Sequence, residues 1–521
     1  MACTRVAIIG GGASGLVQLK QLLDTFARRD VTRKLEVILY ESRSEIGGTW
    51  LCETQPKGYQ RVNTDEQVYF QPPKGQDPSP MYFGLRTNLP YDLMSFRDFS
   101  FPEGTTLFPD QPTVLAYLQV YARHFNLLPH IRFNTRVDRL YRADDRWSIE
   151  STSSSRSGSE LEHFDFVSIA NGHYSDVWVP PVPDLSSFPG EMLHSRFYLR
   201  PEEYAGRTVL VVGSFASGSD LSRQIGGLNI GRYTSDGRPL TPVSGSESGF
   251  TKVYVSASGA PTPQDQGGES SQPWRQFVTN VPLISHVERP SDDYPKGRIH
   301  FQPGQTNTEP IEVDTIIFAT GYNFSLPFCK VTDEPWKSHK LLDRVITKEE
   351  RDNGASREQG GLKGLGVHGL DETMIFLDGD RSLAFLTLQY QVVPFPLAEV
   401  QARLASMLWA GLLPSFPVHP ALPPNPTNPY FTPPPTPGTS TPSTDLDGHA
   451  VAQVDKPIRK VLKMRQKLVF GAPYEWTYEE WLMGLMIEGY EEGVGEEWRR
   501  IEDWRRARRN DATLRFRTLG Y

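Results

Sequence analysis

A short β-branched run, Arg5 to Ile9 (RVAII), stops at three consecutive glycines and gives way to a helical pattern from Ser14 to about Arg28. A second apolar run, Leu35 to Tyr40 (LEVILY), follows and ends in Glu41. Strand, glycine turn, helix and strand in that order make a βαβ unit, which commits the chain to a parallel sheet with helices packed on it. In Gly10-x-Gly12-x-x-Gly15 each glycine has its own task. Gly10 permits the tight turn, Gly12 lets a pyrophosphate approach the backbone, and Gly15 lets the helix lie close to the sheet with its N-terminus toward the phosphates. Glu41 stands where a carboxylate accepts hydrogen bonds from both hydroxyls of a ribose. A carboxylate there repels a 2′-phosphate, so this site suits FAD or NAD rather than NADP.

A comparable unit begins at Thr208 (TVLVVGSFASGSDL), roughly 200 residues further on. The expected fold is therefore α/β with two dinucleotide-binding, Rossmann-like domains. Phe164–Ala170 (FDFVSIA) and Asp314–Ala319 (DTIIFA) read as the strands that cross between them, each ending in a small-residue turn. The expected organisation is an FAD-binding domain in two parts, 1–175 and 315–411, interrupted by an NADPH-binding domain at 176–314. A proline-rich loop at 412–448 and a helical segment at 449–521 follow. The proline-rich run cannot form a helix interior or a ladder and reads as a mobile polyproline-type loop, either an insertion or a cap over a substrate entrance. Trp476, Trp481, Trp498 and Trp504 suggest that the last segment docks back on the body. Its arginines (Arg499, Arg500, Arg505, Arg506, Arg508, Arg509) lie beside acids and read as a solvated, ion-paired helix.

A net charge of −8 argues against nucleic acid as a partner, because phosphate recognition needs a basic face. The three cysteines, Cys3, Cys52 and Cys329, are too scattered for a disulfide framework, a zinc knuckle or a dithiol redox centre. With no leader pattern at the N-terminus and no apolar run long enough to span a bilayer, the cytosol is the expected location and a small molecule the expected partner.

Six residues beyond Glu41 comes Gly47-Gly48-Thr49-Trp50, a glycine pair that permits backbone contact with a flat ligand beside an aromatic wall. Further on, Phe188-Pro189-Gly190-Glu191-Met192-Leu193-His194-Ser195-Arg196-Phe197-Tyr198 fits the pattern F-x-G-x-x-x-H-x-x-x-[Y/F]. With these motifs the chain resembles the flavin-containing monooxygenases of the N- and S-oxygenating type, especially their fungal branch. Thr87-Asn88 matches that family's T-N pair beside the flavin, and Ala319-Thr320-Gly321-Tyr322 its A-T-G-Y crossover motif. Asn171-Gly172-His173-Tyr174 is the looser counterpart, and Leu383–Gly411 resembles the last FAD-domain strand and helix. Tyr198 followed by Leu199 departs from the tryptophan that the sister Baeyer–Villiger group carries there.

The resemblance implies FAD and NADPH as cofactors, with contacts at Gly10, Gly12, Ala13, Ser14, Gly15, Glu41, Gly48, Thr49, Trp50, Thr87, Asn88, Val137, Gly213, Ser217, Gly218, Ser258, Thr320 and Gly321. Phe188, Gly190, His194 and Tyr198 are implied to link domain movement to catalysis. The implied reaction reduces FAD with NADPH and forms a C4a-hydroperoxyflavin from O2, which oxygenates a soft nitrogen or sulfur nucleophile. Asn88 is the candidate catalytic residue, since an amide can hydrogen-bond peroxide and flavin edge without competing as a nucleophile. The second glycine turn departs from its pattern, with Phe215 where the middle glycine is expected, so a ring there could crowd the pyrophosphate. Ser258 falls near where relatives place an arginine on the 2′-phosphate; it is no acid, so NADP is not excluded. Three alternatives stay open: a Baeyer–Villiger or carbon-oxygenating enzyme, a reductase or NADPH oxidase, and a non-catalytic flavoprotein.

Overall fold

The computed structural model describes residues 3–63, 67–155, 158–230, 250–257, 273–303, 308–343, 361–426, 428 and 467–519. Two parallel sheets organise these residues. In the first, the strand order is Phe376–Leu377, Asp380–Phe385, Phe166–Ile169, Cys3–Ile9, Lys34–Tyr40 and Ile131–Arg132, and only the outermost pair, Phe376–Leu377 with Asp380–Phe385, is antiparallel. In the second, the order is Glu191–His194, Thr315–Phe318, Thr208–Val212, Lys252–Ser256 and Val278–Val281, all parallel. Near-continuous apolar runs are what a strand covered on both faces requires, and Val209 to Val212 and Ile316 to Phe318 are accordingly buried.

The expected α/β class with two such sheets is what the chain adopts, but the strand assignments differ from the expected boundaries in two places. Thr315–Phe318, expected in the second part of the first domain, lies in the second sheet between Glu191–His194 and Thr208–Val212. The return crossing therefore falls after Ala319, not at 314. The hairpin Gln60–Asn63/Val68–Gln71, expected within the first domain, also lends Val68 and Phe70 to the core of the second sheet, where Phe70 meets Phe318 at 6.2 Å between ring centroids. An apolar strand identifies itself from its own residues, but the face it packs on is supplied by residues remote in sequence.

The serine-rich stretch near 151–160 joins two antiparallel strands, Arg146–Ser153 and Ser159–Phe164, as an exposed hairpin loop should. The helices Ala13–Phe26 and Pro394–Ala410 share one core with the C-terminal helix Tyr474–Leu485, into which Trp476 and Trp498 insert; Trp481 packs at its margin and Trp504 stays exposed. The start of the proline-rich segment lies on the body, with Arg381 donating to Pro417 O at 2.9 Å and Tyr474 Oη donating to Pro423 O at 2.7 Å. Most of that segment lies outside the described residues. Among the described residues no helix is long and apolar enough to cross a membrane.

Candidate active site

The first glycine turn is built as its sequence requires. Gly10 has φ +110°, and a Cβ there would stand 2.5 Å from Ala170 O; one on Gly15 would stand 1.9 Å from Gly10 O. Gly12 caps the helix Ala13–Phe26 without any side-chain hydrogen bond, so Ala13 and Ser14 open a helix whose first N–H groups are left for a ligand. Ser14 Oγ lies 2.9 Å from Thr387 Oγ1, tying the turn to the second residue beyond the strand Asp380–Phe385. Glu41 is buried at the end of its strand and accepts from Gly11 N at 2.7 Å and Arg43 N at 2.8 Å.

Gly47 N donates to Gly11 O at 3.0 Å, which brings the second glycine pair onto the first turn. Gly48 has φ +53°, and a Cβ added to it would lie 2.9 Å from Gly12 Cα. Arg43 Nη1 donates to Gly48 O at 2.9 Å, and the Ser79 hydroxyl donates to Thr49 O. Trp50 packs edge-on against Phe395, at the start of the long helix, with 6.5 Å between centroids. Gly10, Gly12, Ala13, Ser14, Gly15, Glu41, Gly48, Thr49 and Trp50 thus form one cradle. The motif reading passed over Arg43, Ser79 and Thr387, because none of them stands in a spaced pattern. Val137 is buried at a bulge of the strand Thr135–Ala143, whose first residue donates its N–H to Glu41 O at 2.9 Å; with its side chain in the core, only its backbone is available to a ligand.

The second turn repeats this construction. Gly213 has φ +103° and lies under Ala319 O, and a Cβ on Gly218 would stand 1.9 Å from Gly213 O. Ser217 opens the helix Ser217–Gly227. Phe215 does not fill the turn: its side chain is 71% exposed, and the unusual backbone falls on Ala216, with φ 39° and ψ −97°. Ser258 lies outside the described residues.

The long motif fastens the end of the second sheet to the segment that follows Thr315–Phe318 and to the helix Ser217–Gly227. His194 is fully buried, places Nε2 3.0 Å from Gly321 O, and accepts from Arg196 N at Nδ1, 3.1 Å. A carbonyl on one side and an N–H on the other assign the Nε2–H tautomer, which donates to Gly321 O. Burial pushes the imidazole pKa down to about 3, so the ring stays neutral and acts as a tie. Gly321, at φ +85°, also accepts from Trp178 N at 3.0 Å, and Thr320 Oγ1 donates to Trp178 O. Gly190 is pressed against Asp314 O and the Phe188 ring, where a Cβ would stand 2.6 Å from each. Tyr198 Oη donates to Gln224 Oε1 at 2.9 Å on the helix Ser217–Gly227.

Thr87 is buried and its hydroxyl donates to Leu89 O at 2.7 Å, whereas Asn88 is exposed and makes no side-chain hydrogen bond among the described residues. The sequence reading also missed Lys57. Its buried ammonium donates to Met81 O, to Arg196 O at 3.0 Å and to Tyr198 O at 3.2 Å, and burial pulls its pKa down to about 8. It ties the segment leading to Thr87-Asn88 to the linking motif; a lone lysine carries no spacing signal that would have marked it.

Residues 3–229 match the family described as FMO-like, flavin-binding monooxygenase-like. The flavin-containing monooxygenase FMO GS-OX5 of Arabidopsis thaliana is 32% identical over 331 residues, which are 62% of this chain and 61% of that protein. FMO GS-OX-like 4 of the same plant is 28% identical over 421 residues, 78% of this chain and 76% of its own. Over these spans the chain is similar to flavin-containing monooxygenases. Among solved structures, the S-allyl-L-cysteine S-oxygenase from Allium sativum has a TM-score of 0.63 at 22% identity, covering 99% of this chain and 93% of that one. Tmm from Pelagibacter sp. strain HTCC7211 has a TM-score of 0.60 at 20% identity, covering 93% and 86%. These likenesses show that the fold is shared.

FAD and NADPH are the cofactors of flavin-containing monooxygenases. The first cradle fits FAD, because the buried Glu41 carboxylate stands beside the glycine turn, Gly12 and Gly48 meet backbone to backbone with no side chain between them, and the helix N-terminus is uncapped by any side chain. The second turn fits a dinucleotide by the same construction at Gly213 and Gly218.

Proposed function

We propose that this chain is an FAD- and NADPH-dependent monooxygenase that transfers one atom of O2 to a nucleophilic nitrogen or sulfur of a small molecule. The observation that carries the reading is the pair of glycine cradles of one construction, one in each of the two parallel sheets. Gly10, Gly12, Ala13, Ser14, Gly15, Glu41, Gly48, Thr49 and Trp50, with the backbone of Val137, would hold FAD. Gly213, Ser217, Gly218, Thr320 and Gly321 would receive NADPH. When bound, the flavin supplies both the two-electron carrier and the O2 chemistry.

The chain's own residues then bind, orient and exclude. Glu41 accepts ribose hydroxyls, and the helix opening at Ala13 directs its N–H groups at phosphate oxygens. Asn88 presents an unengaged amide that can donate through Nδ2 and accept through Oδ1, stabilising an oxygen centre without offering a nucleophile. His194, held neutral by burial, brings no acid to the site. Thr87, fastened through its own backbone and hydroxyl, sets the turn from which Asn88 projects.

The test is anaerobic reduction of the purified FAD-loaded protein by NADPH, then admission of air with a tertiary amine, a thioether and a cyclic ketone in parallel. An N-oxide or sulfoxide at one product per NADPH supports the proposal, and its loss in Asn88→Ala with hydrogen peroxide in its place supports the role of the amide. Lactone formation as the dominant outcome, or peroxide alone from every substrate, overturns it.

A further inference from the structure

Arg500 pairs with its sequence neighbour Glu496 at 3.5 Å on the exposed surface, as expected, but other arginines of the C-terminal helices turn to the body. Arg505, only 4% exposed, pairs with Glu502 at 3.0 Å and donates through Nη1 to Leu93 O at 3.2 Å. Arg508, also on the helix Asp503–Asn510, pairs with Asp92 at 2.7 Å. Arg515, on the helix Leu514–Leu519, donates to Arg86 O at 3.5 Å. Arg86 and Asp92–Leu93 are the two ends of the turn that carries Thr87 and Asn88. The same helices are anchored behind by Arg509, 2.7 Å from the buried Glu475, and by Arg506, 2.6 Å from Glu480. Glu475 in turn accepts from Val393 N at 2.6 Å, just before the long helix Pro394–Ala410. Beyond the turn, Arg515 comes within 3.9 Å of Asp220, on the helix that the second glycine turn opens, and Asp220 also accepts from Tyr82 Oη at 2.9 Å.

We infer that residues 503–519 are a positioning strap for Asn88, fastened to the body at Glu475 and Glu480, crossing both ends of the Arg86–Leu93 turn, and reaching the second nucleotide helix at Asp220. The inference rests on the function proposed above and adds to it the residues that orient its amide. Asn88 has no side-chain partner of its own among the described residues, so the direction of its amide is inherited from the backbone. From within the body that backbone is held by Thr87 N donating to Pro109 O at 3.0 Å and Tyr91 N donating to Leu107 O at 2.8 Å. The arginines hold its other side. Arg505, Arg508 and Arg515 are positioning residues, acting through the turn, and Arg508–Asp92 is a partly exposed pair whose charges can be neutralised by near-isosteric amides.

The experiment uses the full FAD-loaded chain with Arg508→Gln, Asp92→Asn, the double variant, Arg508→Lys, and the exchanged pair Arg508→Asp with Asp92→Arg. Two quantities are read: product formed per NADPH consumed, and hydrogen exchange of the amides from Arg86 to Met94. Each single variant should lower the product ratio and speed the exchange by roughly fivefold, the equilibrium equivalent of one such pair. Flavin content and the rate of flavin reduction should stay near wild type. The double variant should be no worse than either single one, and Arg508→Lys or the exchanged pair should recover much of both readouts. Unchanged exchange in both single variants overturns the strap whatever the chemistry. If exchange speeds up but the ratio holds, the strap is structural only and the positioning claim falls. Wild-type protein that makes no oxygenated product refutes the proposed reaction instead, while the exchange data still decide the strap.

Discussion

Glu479→Gln should make the protein relatively more stable as the pH rises. Arg97, Glu399 and Glu479 are all fully buried where the C-terminal helix Tyr474–Leu485 meets the long helix Pro394–Ala410. Arg97 Nη2 donates to Glu479 Oε2 at 2.9 Å, and its Nη1 and backbone N–H donate to Glu399 Oε2 at 3.3 and 2.9 Å. The Oε1 atoms of both carboxyls lack a hydrogen-bond partner among the described residues. One guanidinium neutralises one carboxylate, so burial of the second drives the pair to keep a proton, and burial pushes each carboxyl up to about 7 from its ordinary 4.5. Asp98, Lys20, Glu475, Arg403, Arg505 and Glu502 also act on this cluster, and among the described residues Arg97 is the cation ion-paired with both glutamates.

The sign follows from proton counting. Between about pH 4.5 and 7 the native state holds a proton that the unfolded chain has released, so stability falls as pH rises through that window. At about 1.4 kcal/mol per pKa unit, one shared proton is worth about 3 kcal/mol. A glutamine in place of Glu479 would keep the acceptor for Arg97 and be neutral throughout, so that loss disappears. Melting of the FAD-loaded protein between pH 5 and 8.5 should show Glu479→Gln gaining on wild type by a shift of about 3 °C, and Glu399→Gln should behave alike. The double substitution leaves Arg97 buried without a counter-ion and should cost about 3–5 kcal/mol at every pH. A difference between Glu479→Gln and wild type that is flat across pH, or a double variant more stable than the singles, refutes the reasoning.

Gly48→Ala adds a Cβ 2.9 Å from Gly12 Cα at a backbone φ of +53°, and flavin titration of the apoprotein should show FAD bound at least about tenfold more weakly; unchanged affinity would remove Gly48 from the cradle. Because burial holds His194 down at about 3, the rate profile from pH 5 to 8 should carry no inflection from it, and His194→Asn should leave the shape of that profile intact while lowering stability by about 1–3 kcal/mol through lost buried hydrogen bonds. An inflection near neutrality that vanishes in the variant would count against the neutral tie. Phe215→Gly should leave melting within about 0.5 kcal/mol of wild type, since the ring is 71% exposed, and NADP+ titration should stay within about threefold. A tenfold tighter complex would show instead that the ring obstructs the nucleotide.

What the sequence determined by itself is local. Gly10, Gly15, Gly213 and Gly218 are legible because positive φ or close backbone approach excludes other residues at those points, and a buried parallel strand must be apolar on both faces, as at Arg5–Ile9 and Thr208–Val212. Glu41 was legible because a strand end fixes where its carboxylate can reach. Only tertiary structure decided that Thr315–Phe318 enters the second sheet and that the Gln60–Gln71 hairpin lends its apolar residues to the second core. It alone gave His194 its acceptor at Gly321, set Lys57 among three carbonyls, and gave the C-terminal arginines, beside sequence neighbours such as Glu502, partners at Asp92, Leu93 and Glu475. The physical reason is common to all of these. Backbone conformation and burial period are written in neighbouring residues, whereas the partner of a charge, a ring nitrogen or an apolar face is whichever group the fold brings within a few ångströms, and spacing along the chain does not encode that distance.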